Sequence, residues 1–301
     1  MKAIQVGAPD YPARIRRAQH LASAHPFAAE VLALYQQLAA FQQKLHLRIS
    51  RANHRSAASA VFASDRGAAA LRPSSAQCLP EALNLPILLP DFPELLALLQ
   101  TAGPVPVKQA ARQVSAQTAT QWESLLQDFW RSHHQPEAGS DNHKNGDKPA
   151  SEPLTEFILR AFLQPYSEFL AARAPTPQLT ANSRVCPRCG SLPLLGALRP
   201  EADGGKRFLT CSLCLQEWEF RRIFCAACGE DDEKKLPVYV AEQFPHIRVE
   251  ACDTCKFYLR TIDLTKDGHA VPLVDDLAAL PLSLWAHEHH YTRIHQNLLS
   301  T

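Results

Sequence analysis

The sequence lacks any apolar run approaching the ~20 residues that a membrane-spanning helix needs, so it predicts no membrane insertion. Residues 1–10 also lack the apolar core and small-residue cleavage site of a secretory signal. We therefore expect a cytoplasmic protein whose thiols remain reduced. Neither sign of charge dominates, because the chain has 31 Lys and Arg residues and 30 Asp and Glu residues. The resulting net charge of +1 excludes a generally basic nucleic-acid binder.

Cysteine is almost absent from the first 185 residues, where Cys78 is the single example and is expected to be a buried or idle thiol. A Pro/Thr/Ser-rich linker at residues 174–183 follows. The charge changes there as well. Residues 1–185 hold 18 Lys and Arg against 14 Asp and Glu, a charge of +4, whereas residues 186–301 hold 13 against 16, a charge of −3. The sequence thus predicts two chemically different parts within 301 residues.

The front part has the periodicity of amphipathic helices. Residues 26–47 place six apolar side chains three or four positions apart, on one helix face: Phe27, Val31, Leu34, Leu38, Phe41 and Leu45. Further helices are predicted from Asp91, with Glu94 completing a capping box, across residues 106–132, and from Ser151. Pro165 should kink or end the last of these. Four such helices predict an all-α bundle, with residues 132–150 as a mobile surface loop.

The remaining eight cysteines form four pairs of the pattern C-x2-C. A tight turn in each pair lets both sulfurs converge on one ion, and two pairs complete a tetrahedral four-sulfur site. Four such pairs within 70 residues indicate metal binding rather than disulfides or redox dithiols. The candidate ligands are Cys186, Cys189, Cys211, Cys214, Cys225, Cys228, Cys252 and Cys255.

The spacing of the pairs favours two similar units in tandem. The intervals are 21, 10 and 23 residues, so joining the first pair with the second, and the third with the fourth, gives two comparable loops. Gly190 and Gly229 follow the first and third pairs, where glycine permits a positive φ. An interleaved pairing is the alternative. Each unit also carries three extended stretches, which predict a small three-stranded sheet pinned by a metal.

Four cysteine ligands are compatible with either zinc or mononuclear iron. The spacing of a bacterial [4Fe–4S] run is absent, and a site with four thiolates has no vacant position for hydrolysis. The charge of −3, with a run of four acidic residues at 230–233, disfavours nucleic acid as a ligand.

The C-terminal part predicts two short helices. Asp275 or Asp276 is expected to cap the first, which Pro281 ends, and Trp285 lies on the second. The group His287, Glu288, His289 and His290 resembles metal ligands by residue type, but a solvated helix end is the favoured interpretation.

These motifs together resemble one family. The segments CPRCGSLP, CSLCLQEWEFRRIFCAACG and ACDTCKFYLRTIDLTKDGHAVPLVDDLAALPL are similar to FdhE, the formate dehydrogenase accessory proteins. The resemblance implies a cytoplasmic, non-enzymatic factor that matures respiratory formate dehydrogenases and binds their catalytic subunit. It also implies two rubredoxin-like iron sites whose ligands are the eight paired cysteines. One departure is the pair His289 and His290, where relatives often carry a glycine, so the local turn is in question.

The sequence therefore predicts a multidomain α+β protein. An all-α helical domain at 1–180 is followed by rubredoxin-like or zinc-ribbon-like β units at 181–224 and 225–266, and by a short helical tail at 267–301. The leading functional hypothesis is the accessory protein. The alternatives are a rubredoxin-type redox carrier and, less favoured, a nucleic-acid-binding zinc ribbon.

Overall fold

The computed structural model describes residues 9–57, 83–134, 153–174, 182–201, 204–295 and 297. Cys78, most of the predicted linker, and the predicted loop from residue 135 onward lie outside the described residues. None of the helices within these ranges combines the length and hydrophobicity that crossing a bilayer requires.

Helices come first in the chain, strands second, and a short mixed segment last. The helices are α1 (Tyr11–Ala24), α2 (Ala29–Ala57), α3 (Leu85–Leu88), α4 (Phe92–Ala102), α5 (Val105–Ser115), α6 (Ala119–His134), α7 (Pro153–Arg173), α8 (Pro272–Ala278) and α9 (Leu280–Glu288). The strands are β1 (Pro193–Glu201), β2 (Gly204–Cys211), β3 (Glu217–Glu219), β4 (Val238–Val240), β5 (Ile247–Ala251), β6 (Phe257–Asp263) and β7 (Thr292–Arg293). The predicted fold class is confirmed.

The apolar stripe of α2 forms part of the bundle core. Leu34, Leu38, Phe41 and Leu45 are buried, as predicted. Phe27 differs, because it lies in a 3-10 turn before the helix and is half-exposed. Sequence reasoning missed α1 altogether, although its start is marked by an aspartate N-cap followed by a proline in the first turn.

The helix predicted across residues 106–132 is instead two helices, so that prediction was wrong. The break between α5 and α6 is stabilised by a capping box. The Thr118 amide donates to the Gln121 side-chain carbonyl at 2.8 Å, and the Gln121 amide donates back to the Thr118 hydroxyl at 3.4 Å. Helix α4 begins one residue after Asp91, but the Asp91 side chain makes no capping bond and pairs with Arg48.

Helix α7 runs through Pro165, contrary to the alternative that the proline ends it. A proline in a helix interior leaves the carbonyl four residues earlier without its N–H donor. That carbonyl belongs to Ala161 and accepts a hydrogen bond from the Gln42 side chain on α2. A contact between two helices therefore compensates the bond that the local sequence removes.

The two predicted three-stranded units are present, but they join into one sheet of order β3-β2-β1-β6-β5-β4, with β7 added beside β6. Within each unit the strands are antiparallel, and the junction is a short parallel pairing of β1 with β6. Gly196 lies opposite Thr261 there, and a Cβ at Gly196 would stand 2.3 Å from the Thr261 hydroxyl. The sequence thus predicted each three-stranded unit but not the long-range pairing that unites the two.

The C-terminal segment folds back onto the sheet. Neither Asp275 nor Asp276 occupies the predicted N-cap position, which belongs to Val271, and both are buried inside α8. Asp275 nevertheless caps the start of the helix, because its carboxylate accepts from the Val271 amide at 2.8 Å. Asp276 instead pairs with the guanidinium groups of Arg260 and Arg293, each at 2.7 Å. These ion pairs connect α8 to β6 and β7, which explains why so short a tail is ordered.

Candidate metal centres

The first cysteine cluster brings four sulfurs together between the helical bundle and the sheet. The Sγ–Sγ distance is 3.3 Å for Cys189 and Cys211, 3.6 Å for Cys186 and Cys214, and 3.7 Å for Cys189 and Cys214. A disulfide would bring two sulfurs to about 2.05 Å. Four thiolates around one metal, each about 2.3 Å from it, stand roughly 3.8 Å apart. The spacing therefore fits a metal centre and excludes a disulfide.

The second cluster repeats this arrangement beside the start of β6, which runs parallel to β1. The sulfurs of Cys225 and Cys255, and those of Cys228 and Cys252, are each 3.7 Å apart. In both clusters all four sulfurs lie within 4.8 Å of one another, close enough to hold a metal ion. The structure thus groups the first pair with the second and the third with the fourth. This is the predicted tandem order and not the interleaved alternative.

The four turns share one backbone geometry. At Cys186 and at Cys225 the cysteine amide donates to a carbonyl five residues later, at 2.8 Å in both cases. The residue after the second cysteine has a positive φ in every turn: Gly190 at 78°, Gly229 at 85°, Leu215 at 52° and Lys256 at 61°. The alternation of glycine in the sequence is therefore not an alternation of backbone shape. Leu215 and Lys256 hold the same conformation at a cost of roughly 1–2 kcal/mol each.

Hydrogen bonding favours one thiolate in each cluster. Bonds from the Cys255 thiol, and then from the turn amides of Cys228 and Ala227, lower the pKa of Cys225 to about 4. Burial raises the pKa of Cys189, but hydrogen bonds from the other three thiols of its cluster lower it well below the ordinary value. Burial raises the pKa of Cys186 and Cys214 in the first cluster and that of Cys228 in the second. Because thiolate is the form that binds metal, a bound cation would have to stabilise these remaining thiolates.

The two clusters differ in their access to solvent. All four cysteines of the first cluster are at most 2% exposed and pack within the core of the helical bundle. In the second cluster Cys228 is exposed and Cys255 is partly exposed, whereas Cys225 and Cys252 are buried. The first cluster is thus enclosed by protein, and the second presents one side to solvent.

Two further groups of possible ligands occur, and sequence reasoning missed both because their members are far apart in the chain. They are His133 with Glu156 and His295, and His246 with Asp267 and Asp275. Each contains a guanidinium: Arg160 pairs with Glu156, and Arg17 pairs with both aspartates. A resident cation disfavours a metal ion, so we interpret both as ion-pair networks.

The histidine-rich end of α9 does not form such a group within the described part of the chain. His289 stacks on Trp285 with ring centroids 4.2 Å apart, as suits an ordinary helix end. His290 has φ 61°, the left-handed region that glycine adopts most readily. The turn at His289 and His290, where relatives often carry a glycine, is therefore formed here by a histidine.

Comparison with known proteins gives a consistent result. The models of the FdhE central domain and the FdhE C-terminal domain match residues 185–222 and 223–300. Residues 185–300 therefore resemble the FdhE family in both of these domains. Among curated relatives, the Protein FdhE homolog of Aquifex aeolicus is 33% identical over 150 residues, covering 50% of this chain and 53% of that protein. The homolog of Pseudomonas aeruginosa is 35% identical over 155 residues, covering 48% and 49%.

The FdhE likeness extends to the helical part in three dimensions. The crystal structure of the FdhE protein from Pseudomonas aeruginosa matches with a TM-score of 0.68 at 25% identity, covering 99% of this chain and 98% of that one. In sequence, however, the chain spans about half the length of the curated relatives it matches. The two family models match only residues 185–300, whereas the structural match includes the helical part as well.

Proposed function

We propose that this chain is an accessory protein of the FdhE family, required for the maturation of respiratory formate dehydrogenase, and that it binds the catalytic subunit of that enzyme. The observation that carries the proposal is the pair of four-cysteine clusters built into one sheet beside a helical bundle, in a chain matched by both FdhE domain models. Such an assembly offers a folded surface on which a client subunit could dock. A metal ion held by four cysteine thiolates has no open coordination position, so we propose no reaction catalysed by the chain itself. Eight unpaired thiols are typical of a reducing compartment, which supports a cytoplasmic location.

We further propose that each cluster holds one iron ion through four cysteine sulfurs. The first set of ligands is Cys186, Cys189, Cys211 and Cys214, and the second is Cys225, Cys228, Cys252 and Cys255. Bound iron would supply a one-electron couple, whereas zinc in the same sites would supply only structure. Metal analysis of anaerobically purified protein distinguishes the two, and about two irons per chain is the expected result.

The half-exposed second cluster favours one further candidate, a redox carrier of rubredoxin type, because electron transfer needs an accessible metal site. Visible absorption of Fe(III)–thiolate that bleaches with dithionite would support it. Colourless, zinc-filled protein would exclude it. A nucleic-acid-binding role receives no such support, since Asp231, Asp232 and Glu233 expose negative charge beside this cluster.

The accessory role is tested by complementation and pull-down. A host strain that lacks its own FdhE-family protein should regain formate dehydrogenase activity when it receives this chain. The intact, metal-loaded protein should retain the catalytic subunit of the client enzyme on a resin. A resin without bait controls for nonspecific capture. If the metal-loaded wild type retains no catalytic subunit, the docking proposal is wrong.

A further inference from the structure

Strand β4 leaves one edge of the sheet open. It is the last strand in the sheet order and pairs with β5 alone among the described residues. Tyr239 lies opposite Val249, and the Pro237 carbonyl accepts from the Ala251 amide at 3.0 Å. Because the hydrogen bonds of an antiparallel pair alternate, the N–H and C=O groups of Val238 and Val240 point away from β5. These four backbone groups form a template for another strand.

The open edge borders an apolar groove of about 660 Å³ between the β4 region and α9. Val238 and Val240 are 53% and 51% exposed, although edge strands usually carry charged side chains. On the other face of β4, Tyr239 packs against Trp285 with ring centroids 4.6 Å apart. Phe244 also lines the groove and contacts the half-exposed Phe27. Three of the eight exposed large apolar side chains of the described residues, Val238, Val240 and Phe27, therefore lie in or beside this groove.

The chain segment that contains β4 is negatively charged. Residues 230–243 hold five acidic and two basic side chains, a formal charge of −3, and all seven are at least partly exposed. Glu242 lines the groove itself, while Lys235, one of the two lysines, is paired with Glu230 at 3.4 Å. An occupant with Lys or Arg side chains would be attracted here, and an acidic occupant would be repelled.

We propose that the β4 edge and its groove bind an extended, cationic segment of a partner protein, which adds to the sheet as a further strand. Backbone pairing to Val238 and Val240 would supply affinity, and alternate apolar side chains of the segment would enter the groove. Lys or Arg residues of the segment would lie near Glu242 and the 230–233 acidic run. A second copy of this chain fits less well, because it would bring the same negative charge to the edge.

This inference rests on the proposed function only for identifying the partner as a client, since the chemistry of the surface stands without it. The probe is a fluorescein-labelled peptide of about twelve residues, in which valine alternates with threonine and two lysines stand at each end. Fluorescence anisotropy with the full chain measures its binding. We expect binding that is about tenfold weaker, or more, when glutamates replace the lysines or when prolines replace alternate threonines.

Variants of the protein locate the binding site. Val240→Lys should weaken binding of the lysine peptide about tenfold or more, and Glu242→Lys should weaken it in the same direction. Val105→Lys makes the same chemical change at a 66% exposed site on the helical bundle and should leave binding unaltered. Circular dichroism of each variant verifies folding, and the two edge variants are independent should one fail to fold.

Equal binding of the lysine and glutamate peptides would overturn the proposal, as would unchanged binding by both edge variants. A dimer in sedimentation velocity that Val240→Lys dissolves would assign the edge to a second copy and would overturn it too. The proposed function is tested independently of the β4 site. Peptide binding without complementation rejects the accessory role alone, whereas capture of the catalytic subunit that survives Val240→Lys rejects the β4 edge as the binding site of the client and leaves the accessory role intact.

Discussion

The side chain of Gln42 on α2 donates a hydrogen bond of 2.8 Å to the backbone carbonyl of Ala161 on α7. Pro165 stands four residues after Ala161 and has no N–H to give, so this carbonyl would otherwise be buried without a partner. Gln42 is itself fully buried. One amide group thus allows an uninterrupted helix to cross a proline in the centre of the bundle.

Replacing Gln42 by leucine should destabilise the protein by about 1–3 kcal/mol, the cost of leaving a buried carbonyl unsatisfied. In a Pro165→Ala background the helix regains its own N–H donor, so the same change should cost markedly less. Urea denaturation of the four proteins of this double-mutant cycle measures the coupling. Additive effects would show that Gln42 does not compensate the proline.

This pair illustrates where sequence reasoning succeeds and where it stops. The cysteine clusters were predictable, because C-x2-C turns set the ligand geometry within a few residues. The stripe of Leu34, Leu38 and Leu45 was predictable as well, since helix periodicity is local. The path of α7 through Pro165 was not, because its stabilising partner lies 119 residues away.

Other errors have different physical origins. The joining of the two metal units depends on Gly196 meeting Thr261 across 65 residues of sequence, a contact that no local pattern encodes. The break between α5 and α6 was readable from Thr118 and Gln121, whose spacing is that of a capping box, and was simply missed. Long-range pairing limits prediction of the fold here more than secondary-structure propensity does.

The junction between β1 and β6 should not tolerate a side chain at Gly196. Gly196→Ala places a Cβ 2.3 Å from the Thr261 hydroxyl, and we expect a loss of about 1–3 kcal/mol in the free energy of unfolding from overpacking. Thr261→Ala should recover part of this loss. Gly268→Ala is the matched control, because a Cβ there meets nothing within 4 Å. Comparable destabilisation by both glycine substitutions would contradict a specific close approach at the junction.

The two metal sites should release metal at different rates. The first is enclosed in the core, whereas Cys228 and Cys255 give solvent access to the second. With a colorimetric chelator in excess, we expect two phases of equal amplitude that differ about tenfold or more in rate. Cys252→Ser should remove the fast phase, and Cys186→Ser the slow one. A single phase in the wild type would contradict the inference drawn from burial.

Cys186→Ser should also have the wider structural effect. Its cluster packs with the helical core, so loss of that site should lower the stability of the bundle as well as of the first unit. Cys252→Ser should leave the helical circular dichroism signal and its melting nearly unchanged. Unaltered metal content in either variant would contradict the assignment of that cysteine as a ligand.

The buried carboxylate of Asp276 should make stability depend on pH. Burial raises its pKa, but the charges of Arg260 and Arg293 outweigh this effect and hold the pKa below the ordinary 3.8. A carboxyl with a depressed folded-state pKa stabilises the fold above its unfolded value, and the contribution is lost as the pH falls through the folded value. Asp276→Asn should therefore cost about 3–5 kcal/mol at pH 7, because it leaves two buried guanidinium groups without their counter-ion. The same variant should show a shallower decline of stability below pH 4 than the wild type does.

The control is Asp231→Asn, at an exposed position. It should change neither the stability at pH 7 nor its decline below pH 4 by more than about 0.5 kcal/mol. Urea denaturation at a series of pH values measures the free energy of unfolding. If that free energy declines equally steeply at acid pH in wild type and Asp276→Asn, this carboxylate is not the group responsible for the pH dependence.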